Sequence, residues 1–204
     1  MARLKFAAGA TAELGYEFKA TGAKRVLLVT DKHLWESGLV DKVKSIVQDE
    51  GIHLTIYDDI RIEPTDASFR QAIAKAQEVV CDAFVALGGG STIDTAKAMN
   101  LFSTHPADLL EYINKPIGQG KPVPGPLKPL IALPTTAGTG SETTAVIVVD
   151  LLDLHLKTGI SHAYIRPTTA IVDSLNTVTM SPLVTASSGL DVFTHAAESF
   201  TIKP

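Results

Sequence analysis

From Lys24 onward the chain alternates short apolar, β-branched runs with longer stretches of helical periodicity. The predicted strands are Arg25–Thr30, His53–Tyr57, Asp82–Leu87, Leu130–Leu133 and Ala170–Asp173. The predicted helices run from Leu34 to Glu50, from Asp66 to about Val80, and from the glycine-rich segment after Leu87 through Met99. Strands that alternate with helices of this length form a parallel sheet with helices on both faces. The sequence therefore predicts an α/β fold.

Two later segments depart from this alternation. Residues 105–129 hold six of the eleven prolines and three glycines, which predicts an extended excursion that is either a functional loop or a plain connection. The patterns of 144–150 and 155–164 are typical of an antiparallel hairpin. Ser181 and Pro182 then begin a helical region, because a proline in the first helical turn needs no backbone donor.

The charge balance limits the possible partners. The 204 residues include 18 basic and 22 acidic side chains without a basic cluster, which argues against nucleic acid and anionic membranes. Cys81 is the only cysteine, so no internal disulfide forms and a reducing compartment is expected. The first residues lack the apolar core of a signal peptide, and no apolar run is long enough to span a bilayer. We therefore expect a cytoplasmic protein without a membrane partner.

A glycine-rich loop of Gly88, Gly89, Gly90 and Ser91 lies between a predicted strand and a predicted helix. Glycines allow the backbone amides to approach a ligand closely, and the amino end of a helix favours an anion such as a diphosphate. The pattern is neither the Rossmann fingerprint nor a P-loop. Two interpretations stay open, a phosphate cradle and a tight turn in which Ser91 caps the helix.

Two further segments carry polar groups at predicted strand ends. Asp31 follows the first predicted strand, where a carboxylate either hydrogen-bonds a ribose diol or caps the next helix. The segment Pro134–Glu142 holds four hydroxyl residues and two glycines, a composition that suits close contact with a polar ligand.

Asp191 and His195 stand four residues apart in the last predicted helix. Because an α-helix has 3.6 residues per turn, both side chains lie on one helical face and can hold two positions of a divalent metal site. Two protein ligands rarely complete such a site.

These segments together resemble the iron-containing (group III) alcohol dehydrogenase family. The matching segments occur in family order and are Val29–Lys32, Gly88–Lys97, Pro134–Thr143, Ala170–Asp173 and Thr185–His195. A narrower likeness, to the branch that passes a hydride between hydroxy acids and oxo acids, is carried by Arg61–Asp66, Pro116–Val123 and Pro126–Pro129. The Pro134–Glu142 segment speaks against the glycerol-dehydrogenase and dehydroquinate-synthase branches of the same fold.

The resemblance implies a dehydroquinate-synthase-like dinucleotide-binding domain with a hairpin in residues 1–178, and the first helix of a metal-binding helical domain in residues 179–204. It implies NAD rather than NADP, because Asp31 matches the position that faces the adenosine ribose. The other residues that it assigns to the cofactor are Gly88, Gly89, Gly90, Ser91, Asp94, Thr135, Thr136, Thr139 and Lys157. Asp191 and His195 match the first two ligands of Fe²⁺ or Zn²⁺.

Family members take two more histidine ligands from beyond the position that matches Pro204, so we expect this chain to lack most of the helical domain. Two hypotheses follow. The chain belongs to an NAD- and metal-dependent oxidoreductase of small alcohols, hydroxy acids or oxo acids, or it is an incomplete nucleotide-binding module that needs a partner chain or has no turnover. Apolar residues of the last helix should be poorly covered, which predicts a homo-oligomer or a frayed carboxyl end. They are Leu183, Val184, Leu190, Val192, Phe193 and Phe200.

Overall fold

The computed structural model describes residues 2–202. Its strands are β1 (Arg3–Phe6), β2 (Arg25–Thr30), β3 (His53–Tyr57), β4 (Ala83–Gly88), β5 (Leu130–Pro134), β6 (Val146–Leu151), β7 (Leu156–Ser161) and β8 (Thr169–Val172). Its α-helices are α1 (Leu14–Thr21), α2 (Leu39–Asp49), α3 (Asp66–Glu78), α4 (Gly90–Thr104), α5 (Leu109–Tyr112) and α6 (Pro182–Thr201). Six strands form a parallel sheet in the order β1-β8-β5-β4-β2-β3, and β6 pairs with β7 as an antiparallel hairpin. The predicted α/β class and the predicted hairpin are confirmed.

The strand order creates a topological switch point at the carboxyl ends of the strands. After β2 the chain adds β3 on one side and then returns to add β4 on the other. Thr30 pairs with Leu87 and Gly88 pairs with Pro134, so β2, β4 and β5 end side by side. Such a switch point, at the carboxyl ends of parallel strands, is where open α/β sheets bind ligands.

Apolar side chains from both faces of the sheet are buried against helices. One face packs against α1 and α2 through residues such as Phe18 and Val43, and the other packs against α3 and α4 through residues such as Ala72 and Met99. Because both faces are covered, strands such as β2 and β4 consist of nearly continuous apolar residues.

The start of α2 differs from its prediction. The helix predicted from Leu34 begins at Leu39, because Asp31 caps a short 3-10 turn at Lys32–Leu34 and Gly38 adopts a left-handed conformation with φ of 76°. The helix predicted to end at Met99 continues to Thr104. Strand β1 and helix α1 lie before the region in which the sequence predicted structure.

The proline-rich excursion packs against the hairpin. The amide of Asn114 donates to the Gly159 carbonyl at 2.9 Å, and its side-chain oxygen accepts from the Ser161 amide at 3.2 Å. Val123 and Ile113 are buried in the same layer. The excursion therefore holds β7 in place.

Helix α6 extends from the α/β unit with its apolar side chains uncovered. Phe200 is 92% exposed, Leu183 76% and Phe193 70%, and Val184, Leu190 and Val192 are also exposed. The predicted poor coverage of these residues is confirmed. Within residues 2–202 no helix combines the length and the apolar character that a membrane crossing requires.

Candidate functional site

The glycine loop at the end of β4 is packed closely beneath the segment that follows β5. A Cβ atom on Gly89 would come within 3.2 Å of the Thr136 hydroxyl, and one on Gly90 would come within 3.0 Å of the Thr139 methyl. A Cβ atom on Gly88 would overlap Thr92. Only glycines therefore allow the loop and the threonine segment to approach so closely.

The interpretation of Ser91 as a helix cap is wrong. Gly89 occupies the N-cap position of α4 without a side-chain cap, and the Ser91 hydroxyl accepts a hydrogen bond from the Glu63 amide at 3.1 Å. The first amides of α4 have no partner within the helix, because an α-helix leaves its first turn of N–H groups free. The loop thus presents amide donors at a positive helix end.

Two cavities lie on either side of this loop, and Gly90 and Ser91 line both. We call the first the Asp31 cavity, of about 500 Å³; Asp31, Gly89, Thr135 and Thr136 are also in its wall. The second is the His195 cavity, of about 510 Å³; it is also lined by Asp94, Thr139, Lys157, Asp191 and His195. Both volumes lie in the range of about 300–1,000 Å³ that is typical of small-molecule sites. Every residue that the sequence assigned to the site therefore lines a cavity, except Gly88, which is buried below the loop.

Asp31 has the capping role that was one of its two interpretations. Its Oδ1 accepts from the His33 amide at 2.8 Å, so it caps the turn after β2. It also lines the cavity, which leaves the ribose role as a prediction.

A buried ion pair on α4, between Lys97 and Asp94, holds the segment after β5 and strand β6 against that helix. Lys97 is fully buried, and its ammonium donates to the Ser141 hydroxyl at 2.9 Å, the Val146 carbonyl at 2.8 Å and Asp94 at 3.3 Å. Asp94 in turn accepts from the Ser141 hydroxyl at 2.5 Å and from the Val148 amide at 2.9 Å. Burial lowers the pKa of Lys97, and the Asp94 carboxylate partly offsets that effect.

These contacts change the expected role of Asp94. Both of its carboxylate oxygens are engaged by protein donors, so it orders the cavity wall although it borders the cavity. The family resemblance includes Lys97 only as the last residue of the matching segment Gly88–Lys97. Apart from Asp94, its partners Ser141 and Val146 lie more than forty positions away, so no local pattern predicts them.

Lys157 and Glu63 face each other across the rim of the His195 cavity. The Lys157 ammonium lies 3.4 Å from the Glu63 carboxylate, and the two side chains are 53% and 70% exposed. Glu63 has a left-handed backbone with φ of 54°, which is uncommon for a residue other than glycine. The sequence did not assign Glu63 to the site, and its unusual backbone conformation is the feature of the structure that draws attention to it.

Asp191 and His195 lie on one face of α6, as their spacing predicts. Asp191 Oδ1 is 3.7 Å from His195 Nε2, and the side chains are 40% and 55% exposed. They fit two positions of a metal site. Within residues 2–202, no three His, Cys, Asp or Glu side chains are grouped so that they could hold a metal ion.

The chain belongs to the iron-containing alcohol dehydrogenase family. The model of that family, described as "Iron-containing alcohol dehydrogenase", matches residues 2–174. Among solved structures, a 1,3-propanediol oxidoreductase superposes with a TM-score of 0.86 at 33% identity, over 96% of this chain and 50% of that one. A sulfoacetaldehyde reductase from Bifidobacterium kashiwanohense in complex with NAD⁺ gives 0.88 at 32% identity, over 98% and 51%.

The chain is also similar to mitochondrial hydroxyacid-oxoacid transhydrogenases. It is 50% identical to the protein from Bos taurus over 202 residues, which are 98% of this chain and 43% of that protein. It is 48% identical to the protein from Homo sapiens over an alignment of 205 positions, which covers 100% of this chain and 44% of that protein. The narrower likeness seen in the sequence is confirmed, and the chain spans less than half the length of these relatives.

The expected cytoplasmic location is wrong, because the relatives from cattle, mouse and human are all named as mitochondrial. That expectation depended on the single cysteine and on first residues without the apolar core of a signal peptide. These features argue only against the secretory route, and they do not distinguish a cytoplasmic protein from a mitochondrial one.

Proposed function

We propose that the chain forms the NAD-binding part of an oxidoreductase that transfers a hydride between a small alcohol or hydroxy acid and nicotinamide. The observation that carries this proposal is the position of the glycine loop. It presents free amides at the switch point of a parallel sheet, and it separates two cavities that together hold nearly all the predicted site residues. In this arrangement a dinucleotide crosses the loop with its diphosphate and extends one half into each cavity.

The proposed roles follow from the walls of the cavities. The amides of Gly89, Gly90 and Ser91 hold the diphosphate, while Gly88 keeps β4 close to the helix start. Asp31 accepts from the ribose hydroxyls in its cavity and repels a 2′-phosphate, which favours NAD. Thr135, Thr136 and Thr139 border the cofactor on the sheet side.

The nicotinamide half lies in the His195 cavity under this proposal. NAD supplies the hydride acceptor, and a divalent metal, Fe²⁺ or Zn²⁺, supplies a Lewis acid that lowers the pKa of an alcohol. Asp191 and His195 would hold two positions of that metal, from one wall of the cavity. Asp94, joined to Lys97 and Ser141, would order the part of the same cavity wall that α4 contributes.

The relatives favour a carboxylate-bearing substrate. Proteins named hydroxyacid-oxoacid transhydrogenase match along essentially the whole chain, and we extend their substrate class, small hydroxy and oxo acids, to the protein that contains this site. We also propose the two-part division, with residues 1–178 as the dinucleotide-binding domain and residues 179–204 as the start of the metal-binding helical region. The mitochondrial names of these relatives favour the same compartment for this protein.

Cofactor titration tests this proposal. We expect a saturable response to NAD and a weaker one to NADP, followed by intrinsic fluorescence or by NMR. The variant Asp31→Asn keeps a side-chain cap for the turn and removes the charge, so its preference for NAD over NADP should fall by about tenfold, or about 1.4 kcal/mol. No saturable response to either dinucleotide by the parent chain would refute the proposal.

A second candidate is a nucleotide-binding module without turnover of its own. The observation that favours it is the pair of metal ligands without a third in the part of the chain that the structure describes. Elemental analysis after dialysis distinguishes the two candidates. Stoichiometric iron or zinc retained by this chain would contradict the second candidate, whereas NAD binding without metal retention would support it.

A further inference from the structure

Helix α6 is covered by the rest of the chain over only a short stretch. Ser188 and Asp191 are half-buried, and every other residue of the helix is exposed. One helical face carries four residues at the spacing i, i+4, i+7 and i+11, namely Val184, Ser188, Asp191 and His195. Val184 borders the Asp31 cavity, whereas Asp191 and His195 border the His195 cavity. This face therefore spans both cavities, with Ser188 between its two ends.

The covered stretch of α6 meets Gly138, in the segment that follows β5. A Cβ atom on Gly138 would lie 2.8 Å from the Ser188 carbonyl oxygen, 3.2 Å from its Cβ atom and 3.3 Å from its Cα atom. These atoms belong to the helix backbone or are fixed to it, so no rotation of a side chain relieves the contact. A residue larger than glycine at position 138 would fit only if α6 moved away.

The next residue makes a second close contact, with the glycine loop. A Cβ atom on Gly90 would come within 3.0 Å of the Thr139 methyl group. The segment after β5 thus contacts the loop through Thr139 and contacts α6 through Gly138. The distance between the loop and the Asp191–His195 pair therefore depends on these two contacts in series.

We propose that Gly138 is a positioning residue, which sets the distance between the Asp191–His195 pair and the glycine loop. The inference rests on the proposed function, in which that pair holds a metal and the loop holds the cofactor. Hydride transfer needs reacting atoms about 3–3.5 Å apart, and a misplacement of about 1 Å by a remote substitution can cost about a hundredfold in rate. Both members of the pair lie on α6, so a shift of the helix moves them together.

Paramagnetic broadening by Mn²⁺ tests this proposal without any measurement of activity. MnCl₂ is titrated into the ¹⁵N-labelled chain, and the broadening that His195→Ala abolishes is assigned to the Asp191–His195 pair. This subtraction removes the contribution of Mn²⁺ at other carboxylates. The remaining broadening at the amides of Gly90 and Ser91 reports the distance from the pair to the loop, because it falls with the sixth power of that distance.

Gly138→Ala should weaken this signal without releasing the metal. The separation of 2.8 Å must relax to an ordinary contact of ~3.5 Å, so α6 should move away by roughly 0.7 Å. At a distance of roughly 10 Å, such a shift lowers the broadening of the loop amides by about one third. The affinity for Mn²⁺ should change by less than about twofold, because both ligands keep their spacing on one helix.

Two other glycines provide matched controls. Gly138 and Gly140 both have positive φ, of 156° and 62°, so alanine is unfavourable at either position. The atom nearest to a Cβ on Gly140 is the Thr143 hydroxyl oxygen at 3.9 Å, so Gly140→Ala should leave the broadening unchanged. A Cβ on Gly189 of α6 would meet no described atom within 4 Å. Gly189→Ala should therefore also leave it unchanged, although it strengthens the helix by about 1 kcal/mol.

The outcomes separate a positioning role from a purely structural one. Equal broadening in Gly138→Ala and in the parent overturns the proposal. Loss of Mn²⁺ affinity together with the helical amide shifts of α6 also overturns it, because Gly138 would then only stabilise the helix. A parent whose loop amides show no broadening that His195→Ala removes overturns it as well. These samples contain no NAD, so failure of the parent to bind NAD, measured separately, refutes the proposed function instead.

Discussion

Replacement of Lys97 by methionine should destabilise the fold strongly, although methionine fills a similar volume. The ammonium of Lys97 is fully buried and donates to Asp94, to the Ser141 hydroxyl and to the Val146 carbonyl. Without it, Asp94 becomes a buried carboxylate with no cation, and the Val146 carbonyl loses its donor. Removing one partner of a buried ion pair costs about 3–5 kcal/mol.

That cost is a large part of the total stability of a typical domain, which is about 5–15 kcal/mol. For a chain of this size, about 2–4 °C of melting temperature is lost per kcal/mol, so Lys97→Met should melt roughly 10 °C below the parent. Urea unfolding followed by circular dichroism measures the free energy directly. The affinity for NAD should fall as well, because Lys97 joins α4 to Ser141 and to the hairpin, which together line the His195 cavity.

The double variant Asp94→Asn/Lys97→Met separates the charge from the packing. It removes both charges, keeps an acceptor oxygen for the Val148 amide, and turns an NH₂ donor towards the Ser141 hydroxyl, which can accept once the ammonium is gone. It should therefore be more stable than Lys97→Met alone by about 1–3 kcal/mol. Lys75→Met, on the exposed face of α3, is the matched control and should change stability by less than about 0.5 kcal/mol. The reasoning is refuted if Lys97→Met costs less than about 1 kcal/mol, or if the double variant is no more stable than the single one.

Two further predictions concern stability and association. Burial would raise the pKa of Asp173, but hydrogen bonds from the Thr11 hydroxyl and amide and from the amides of Gly9 and Leu175 lower it to about 2. Because the folded pKa is below the unfolded value of 3.8, this carboxylate stabilises the fold by about 2 kcal/mol above pH 4 and loses that contribution as the pH falls towards 2. Asp173→Asn should therefore have a lower free energy of unfolding than the parent at pH 7, and this difference should be smaller at pH 2.5. The surface variant Asp153→Asn should match the parent at both pH values. An equal difference for Asp173→Asn at the two pH values would contradict the lowered pKa. The exposed face of α6 should cause self-association, so sedimentation velocity should show concentration-dependent oligomers. Phe193→Gln and Phe200→Gln should reduce the oligomer fraction. A parent chain that stays monomeric up to about 100 μM contradicts the expectation.

The sequence predicted most of the sheet because its strands are buried on both faces. Such strands are apolar at nearly every position, as β2 and β4 are, and their ends are marked by glycine or aspartate. Strand β1 escaped prediction because its pattern is reversed. Its apolar residues Leu4 and Phe6 point to solvent, whereas Arg3 and Lys5 pair with the buried Glu17 of α1.

Some residues of the candidate site are predictable from local sequence, and others depend on contacts between distant segments. Glycines, threonines and Asp31 at strand ends are local signals, because parallel strands bring their carboxyl ends to one edge whatever the details of packing. The spacing of Asp191 and His195 is equally local. The contacts of Glu63 and Lys97 depend on how the hairpin folds over α4, and a sequence alone does not state which hydroxyl or carbonyl a buried ammonium will meet.

Local sequence therefore predicts where a site residue lies, whereas tertiary contacts determine which role it can have. Asp94 and Lys157 both line the His195 cavity, yet their partners differ in kind. Asp94 is engaged by Ser141 and by a backbone amide, and it cannot release them for a ligand without leaving a buried charge unpaired. Lys157 has only an exposed carboxylate within reach and exchanges it at little cost. Of these two residues, Lys157 is therefore the one whose present contact a ligand can displace more easily.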